Sequence, residues 1–327
     1  MPSMVRHVSI DDVRTARERL EGRVRRTWLE ESVYLGNRNR RYFYKLESQQ
    51  IGKSFKIRGA LNVLEQLNLG ERARGVGVVS TGNSAVALAY AARELNIENC
   101  LAIVPVTTPA AKLDRIRFYG GRVMSMGENY SEALMLGLNY IECSNMHVMD
   151  PFGCDPANYA GSGTIGLEIL EQNPDIDTIV APIGTGGLIT GIAVGAKSIR
   201  PDVRIVGVQT EACPAMYESL RHGTCYSTYP VSGDTVCGAV TGGVGRIAYE
   251  MLPTLIDDII VVSERSICDA LKFMIEREQI VAEAASAMVV AAVHDYPEEV
   301  GGSNVALVIS GGNIDATLLE TLLKEKD

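Results

Sequence analysis

Seven short apolar runs alternate along this chain with longer stretches of helical period, and that alternation limits the fold more than any other feature. The runs are Val76–Ser80, Leu101–Val106, Arg122–Met126, Thr178–Pro182, Arg204–Val208, Asp258–Val262 and Val305–Ile309. They are mostly rich in Val and Ile and bounded by turn residues, as strands are. Between them Ala85–Leu95, Ala110–Tyr119, Tyr130–Ile141, Ser266–Glu276 and Ile314–Lys324 repeat apolar residues at helical spacing. Strand then helix, repeated, predicts an α/β fold with a mostly parallel twisted sheet and helices on both faces. Ligands in such sheets bind beyond the carboxyl ends of the strands, so the loops that follow strands matter most. Three stand out: Ser80–Ser84, Gly184–Gly187 and Ser310–Asn313, all glycine-containing turns that lead toward a helix.

Composition narrows the function. With 327 residues, the chain has room for one large domain or two ordinary ones. Hydrophobic residues make up 46% and charged residues 22%, so a sizeable core is expected. A net charge of −9 argues against a nucleic-acid or anionic-membrane partner, either of which needs a basic surface. No apolar run reaches the roughly 18 to 20 residues of a membrane helix. The N-terminal stretch is charged and has no apolar signal core. A cytoplasmic protein is the simple expectation. The seven cysteines form no C-x-x-C pair, so neither a zinc site nor a disulfide framework is expected, and most should be buried. The four histidines are scattered without metal-ligand spacing.

Two segments carry chemistry. Gly184-Thr185-Gly186-Gly187-Leu188 follows the apolar run Thr178–Ile183 and precedes a helical stretch, Ile189 to Ile199. Glycines there let backbone N–H groups approach an anion, and the helix start favours negative charge, so the turn is a candidate phosphate cradle. It lacks the spacing of a nucleotide-triphosphate loop or of a dinucleotide fingerprint. The second segment is Ser54-Phe55-Lys56-Ile57-Arg58-Gly59-Ala60. A lysine beside an apolar wall becomes a usable nucleophile toward an aldehyde. The alternative is an amphipathic helix start with solvated Lys56 and Arg58.

Segment by segment, the chain resembles the serine/threonine dehydratase and serine racemase family. These are fold-type II enzymes dependent on pyridoxal 5′-phosphate (PLP), with a tryptophan synthase β-like fold. The resemblance is carried in order by Ser54–Ala60, Ser80-Thr81-Gly82-Asn83, Ala160-Gly161-Ser162-Gly163-Thr164-Ile165-Gly166, Gly184–Gly187, Glu283 in its Ala282–Ala287 context, and Ser310-Gly311-Gly312-Asn313. It implies PLP as cofactor, with Lys56 as the attachment lysine and proton acceptor. It places Gly184, Thr185, Gly186, Gly187 and Leu188 on the phosphate, Asn83 at the ring hydroxyl, Ser310 at the ring nitrogen, and Glu283 nearby in the cofactor site. Ser80, Thr81, Gly82, Asn83, Ser84 and Gly238 are then the expected substrate contacts. A helix N-cap by Ser80, Asn83 or Ser84 is compatible with that role. The resemblance also implies two domains, residues 1–74 with 152–327 forming the large one and 75–151 a smaller insertion, and a homodimer.

The expected reaction converts L-threonine, L-serine or a related β-hydroxy amino acid to a 2-oxo acid and ammonia. Several residues keep other reactions open. The turn reads G-T-G-G, as in β-replacement synthases such as cysteine synthase, and not the dehydratases' G-G-G-G. Thr81 stands where racemases of the family have serine and dehydratases commonly have alanine, so Thr81 is a candidate catalytic group and racemization stays open. A PLP-binding protein without turnover is the non-enzymatic alternative. Gln209 stands where racemases with a divalent cation have glutamate, and a hard cation prefers carboxylates, so no metal is expected, although Glu211 is close. Cys237 replaces the acidic residue of the segment Asp234–Ala239, which points to a substrate preference unlike plain serine or threonine. After Ser310–Asn313 only one helix follows, which leaves no room in this sequence for the regulatory domain of biosynthetic threonine dehydratases.

Overall fold

The computed structural model describes residues 5–149 and 152–324. Among the described residues, ten strands form two sheets. They are β1 (Leu29–Glu31), β2 (Arg41–Lys45), β3 (Val76–Val79), β4 (Cys100–Val104), β5 (Arg122–Ser125), β6 (His147–Val148), β7 (Thr178–Pro182), β8 (Arg204–Thr210), β9 (Asp258–Val262) and β10 (Asn304–Val308). The larger sheet runs β1-β2-β10-β7-β8-β9, and the smaller runs β5-β4-β3-β6. All pairs are parallel except β1 with β2.

The inner parallel strands are buried because helices cover both faces, which is why Thr178–Pro182 and Cys100–Val104 are buried along their whole length. Alternate residues of β7 serve opposite cores. Ile179 and Ala181 join Ile205 and the helices Pro156–Gln172 and Gly187–Lys197 on one face. Val180 joins Val206, Val208 and the helices Glu264–Glu276 and Ala284–Asp295 on the other. The segment 79–83 that follows β3 leads into the helix Asn83–Glu94, and the segment after β10 ends in the helix Ala316–Lys324.

The helix Pro156–Gln172, capped by the Asp155 carboxylate, holds two other helices in backbone contact. A Cβ on its Gly161 would lie 2.5 Å from the Arg58 carbonyl oxygen, in the helix Lys56–Glu65. A Cβ on Gly166, or on Gly191 of the helix Gly187–Lys197, would overlap carbonyl oxygens of the facing helix. The segment Ala160–Gly166 is therefore a packing seam, buried throughout.

Arg58 corrects the solvated reading of its helix. It is fully buried and donates to both oxygens of buried Glu47 (2.8 and 2.8 Å), to both of Glu168 (2.7 and 3.0 Å), and to Thr164 Oγ1. Lys45, also buried, donates to Glu168 (2.6 Å) and Gln172 (2.9 Å). Burial opposes the charge on Glu47, but the Arg58 guanidinium outweighs it and holds that carboxyl below the usual range. Burial lowers the Lys45 ammonium against the pull of Glu168. The two cations and two carboxylates satisfy one another, the condition under which charges remain ionised in a core.

Three other expectations are corrected. The cysteines are mixed: Cys100, Cys213 and Cys237 are buried, Cys143 and Cys154 exposed, and Cys225 and Cys268 half-buried. The helix expected at Ile189–Ile199 runs Gly187–Lys197, and the one expected at Ile314–Lys324 begins at Ala316. β1, β2 and β6 had no sequence signal of their own. Of the two residues that flank the domain boundary expected between 151 and 152, residue 151 lies outside the described residues. Among the described residues no helix is long and apolar enough to cross a membrane.

Candidate active site

The candidate residues gather at the carboxyl edge of the larger sheet, where β10 and β7 lie side by side. Ser310 follows β10 and Gly184 follows β7. The Lys56 segment crosses this edge. Phe55 N–H donates to the Ser310 carbonyl (3.0 Å), Gly312 N–H donates to the Lys53 carbonyl (2.8 Å), and Ser54 forms an isolated bridge with Gly311. Lys56 opens its helix half-buried, with Nζ 5.0 Å from the centre of the Phe55 ring. The apolar wall expected beside the lysine is thus Phe55.

Ser310 is 3% exposed, and its hydroxyl lies 3.1 Å from that of Ser286. The Ser286 hydroxyl also donates to the Gly311 carbonyl and accepts from Gly311 N–H, each at 2.8 Å. Ser286 was not a sequence candidate, although it lies one helical turn after Glu283 in the quoted segment. Glu283 precedes the helix Ala284–Asp295 and accepts from Asn83 Nδ2 on both oxygens (3.0 and 2.9 Å). Asn313 donates to the Asn83 side-chain oxygen (2.7 Å) and to the Gly52 carbonyl (2.9 Å), and it accepts from Arg115. Asn83 and Arg115 belong to the part of the chain that carries the smaller sheet, so these contacts tie the two sheets together across the cleft. Burial raises the pKa of Glu283, while Asn83 and the Lys56 charge pull it back. A Cβ on Gly311 would stand 2.5 Å from the Glu283 carboxylate, so a side chain there would push Glu283 out of its present place.

Gly186 adopts φ +96° and ends the turn at the start of an eleven-residue helix. The first N–H groups of a helix have no partner within it. The turn from Gly184 to Leu188 contains no carboxylate to repel an anion. Gly245 N–H holds the Thr185 carbonyl at 2.9 Å, and Tyr159 lies under Gly187. The donor set therefore fits a phosphate monoester, and the serine, asparagine and lysine beside it fit the polar edge of a pyridine aldehyde. Gly186→Ala tests the cradle. Its new Cβ would overlap the Ala248 Cβ and its φ would be strained by roughly 1–2 kcal/mol. We expect cofactor retention to fall at least tenfold, measured as the pyridoxal absorbance remaining after gel filtration.

The loop Ser80–Ser84 is half-buried, and its helix has Gly82 as N-cap without a side-chain cap bond, which leaves the first N–H groups for a carboxylate. Only the Ser80 hydroxyl takes a local bond, from Gly82 N–H at 3.3 Å. Thr81 is half-buried in the same loop. Gly238 begins a 3-10 turn, Gly238–Val240, and is exposed, while Val240 packs against Gly184. Cys237 is 1% exposed in the core, and burial pushes its thiol pKa up. Gln209 is buried and accepts from Tyr217 N–H (2.9 Å), and the Glu211 carboxylate accepts from Glu264 N–H (3.0 Å). Among the described residues no three His, Cys, Asp or Glu side chains cluster to hold a metal.

A family model described as pyridoxal-phosphate dependent enzyme matches residues 20–311. The chain is similar to the L-threonine ammonia-lyase of Thermotoga maritima, 37% identical over 321 residues that cover 97% of this chain and 79% of that protein. It is 36% identical to the catabolic L-threonine dehydratase of Escherichia coli over 94% of each chain. Among solved structures, maize serine racemase superposes with a TM-score of 0.89 at 30% identity, covering 98% of both chains.

Proposed function

Because the chain belongs to the pyridoxal-phosphate dependent enzymes, we propose that it is an ammonia-lyase acting on L-threonine, L-serine or a related β-hydroxy amino acid. The products are a 2-oxo acid and ammonia. The cofactor is pyridoxal 5′-phosphate, which supplies an aldehyde for the substrate amine and a ring that takes up the charge left when the Cα proton leaves.

The chain's own residues divide the remaining work. Lys56 would hold the cofactor covalently, and its Nζ would accept the Cα proton. N–H groups of Gly184 to Leu188 hold the phosphate. Asn83, oriented by Glu283 and Asn313, would hydrogen-bond the ring hydroxyl. The N–H groups and hydroxyls of Ser80 to Ser84 hold the substrate carboxylate, and Gly238 borders the substrate. Ser310 faces the ring nitrogen with a neutral hydroxyl, which cannot keep a proton there as a carboxylate would. A serine in that place would leave the bound ring a moderate electron sink, which would suit elimination better than transamination.

The observation that carries this reading is the hydrogen bond from Phe55 N–H to the Ser310 carbonyl. It sets the lysine beside the serine and next to the strand that feeds the glycine turn. A division into a large unit (1–74 with 152–327) and a small one (75–151), and a cytoplasmic homodimer as the working form, complete the proposal. The Thr81 hydroxyl supports racemization as a second activity.

The test is an assay of the PLP-loaded enzyme with L-threonine, L-serine, D-serine and 3-hydroxyaspartate, following 2-oxo acid and the enantiomer of each substrate. Oxo acid from one of them without a second substrate is expected. Turnover only with an activated serine and an added nucleophile would overturn the lyase assignment in favour of replacement, and enantiomer formation without oxo acid would leave a racemase.

A further inference from the structure

The geometry points to Glu264 as a positioning residue that fixes the wall of the cofactor cleft made by Gly238–Val240. The inference rests on the assignment of Gly184–Leu188 to the phosphate.

Glu264 is the first residue of the helix after β9, which begins at the N-cap Ser263. A carboxylate in a first helical turn is usually a partner for the helix dipole and nothing more. Here both oxygens are engaged elsewhere. Oε1 accepts from the hydroxyls of Thr210, at the end of β8, and Thr235 (2.8 Å). Oε2 accepts from Val236 N–H at 2.9 Å. From there the connection to the cradle is unbroken. The Thr235 hydroxyl accepts from Cys237 N–H at 2.9 Å, and the Cys237 carbonyl accepts from Val240 N–H at 3.0 Å. Val240 Cα lies 3.3 Å from where a Cβ on Gly184 would stand.

The segment needs such an anchor. Residues 223–245 carry only one 3-10 turn, and Val231 to Asp234, just before Thr235, are exposed. Bonds to a charged acceptor are roughly twice as strong as neutral ones. The Glu264 carboxylate, with the buried Cys237 side chain beside it, ties this otherwise irregular stretch to the ends of β8 and β9. The wall's distance from the phosphate loop is thereby set by a helix start.

Glu264→Gln is the direct test. A glutamine can still accept from the two hydroxyls, but its NH₂ then faces Val236 N–H, and one donor is left without an acceptor. With one charged hydrogen bond lost, cofactor should leave the holoenzyme roughly tenfold faster, with KM raised more than kcat is lowered. Thr235→Val removes one hydroxyl without touching the charge and should move the same readings in the same direction by less. Release is followed by the pyridoxal absorbance of the filtrate after dilution, and folding by circular dichroism. Wild-type release rate and KM in both folded variants would overturn the inference. So would a drop in melting temperature with release unchanged, since that marks a merely structural contact. Gly186→Ala separates the premise from the inference: unchanged release there would mean that the cradle assignment had failed, independently of Glu264.

Discussion

Lys56→Ala is expected to lower 2-oxo acid release by a factor of about 10³ or more, within the range for loss of a general base, or about 4 kcal/mol of barrier. Two losses combine in this variant. The cofactor loses its covalent link, and the substrate Cα proton loses its acceptor. The protein itself should be little disturbed. Lys56 is half-buried at a helix start, outside the hydrophobic clusters, and alanine is a good helix former. The melting temperature of the cofactor-free variant should therefore stay close to that of the cofactor-free wild type. A small primary amine added to the assay should restore part of the activity, because it supplies the proton acceptor that the chain no longer carries. Retention of more than a tenth of the wild-type rate would remove Lys56 from the mechanism.

The second large effect is on stability. Arg58→Leu should cost about 3–5 kcal/mol, the range for removing one partner of a buried ion pair. Leucine fills part of the space but leaves Glu47 and Glu168 with only Lys45 as a compensating cation. Glu47 is fully buried and bonded otherwise to the Thr27 hydroxyl (2.6 Å). The cost is in leaving it charged there, so Glu47→Gln added to Arg58→Leu should recover part of the loss. The measurement is the urea midpoint of the single and double variants. A single variant with the wild-type midpoint would mean that the cluster contributes nothing net.

Strands β7 and β9 were legible to the residue because their Val and Ile runs are flanked by turns, and β3, β4, β5, β8 and β10 to within two residues at either end. β1 and β2 were not, since Leu29–Glu31 is mostly charged and Arg41–Lys45 begins and ends on a cation. Nothing local in the sequence says that Lys45 is buried. Its partners Glu168 and Gln172 are more than a hundred residues away. Arg58 was hidden by its neighbours in sequence, which made it look like a solvated helix start, while its partners Glu168 and Glu47 are 110 and 11 residues away. The cofactor-side candidates came from short motifs at strand ends, where local sequence and function coincide. Ser286 and Arg115 touch the candidate residues through contacts made only by the folded chain: the turn of helix from Glu283 was the one local sign of Ser286, and Arg115 had none.

The backbone contacts of the helix Pro156–Gln172 have a mechanical consequence. That helix touches the helix of Lys56 on one side and the helix of the Gly184–Leu188 turn on the other, in both cases without an intervening layer of side chains. The two ends of the proposed cofactor are thus gauged from a single rod. Side chains between helices can rotate and absorb a displacement, whereas peptide groups in direct contact transmit it. The span from amine to phosphate should therefore keep its length when the twist of the sheet changes or when the smaller sheet swings, and any methyl group added along the rod would be felt at both ends at once.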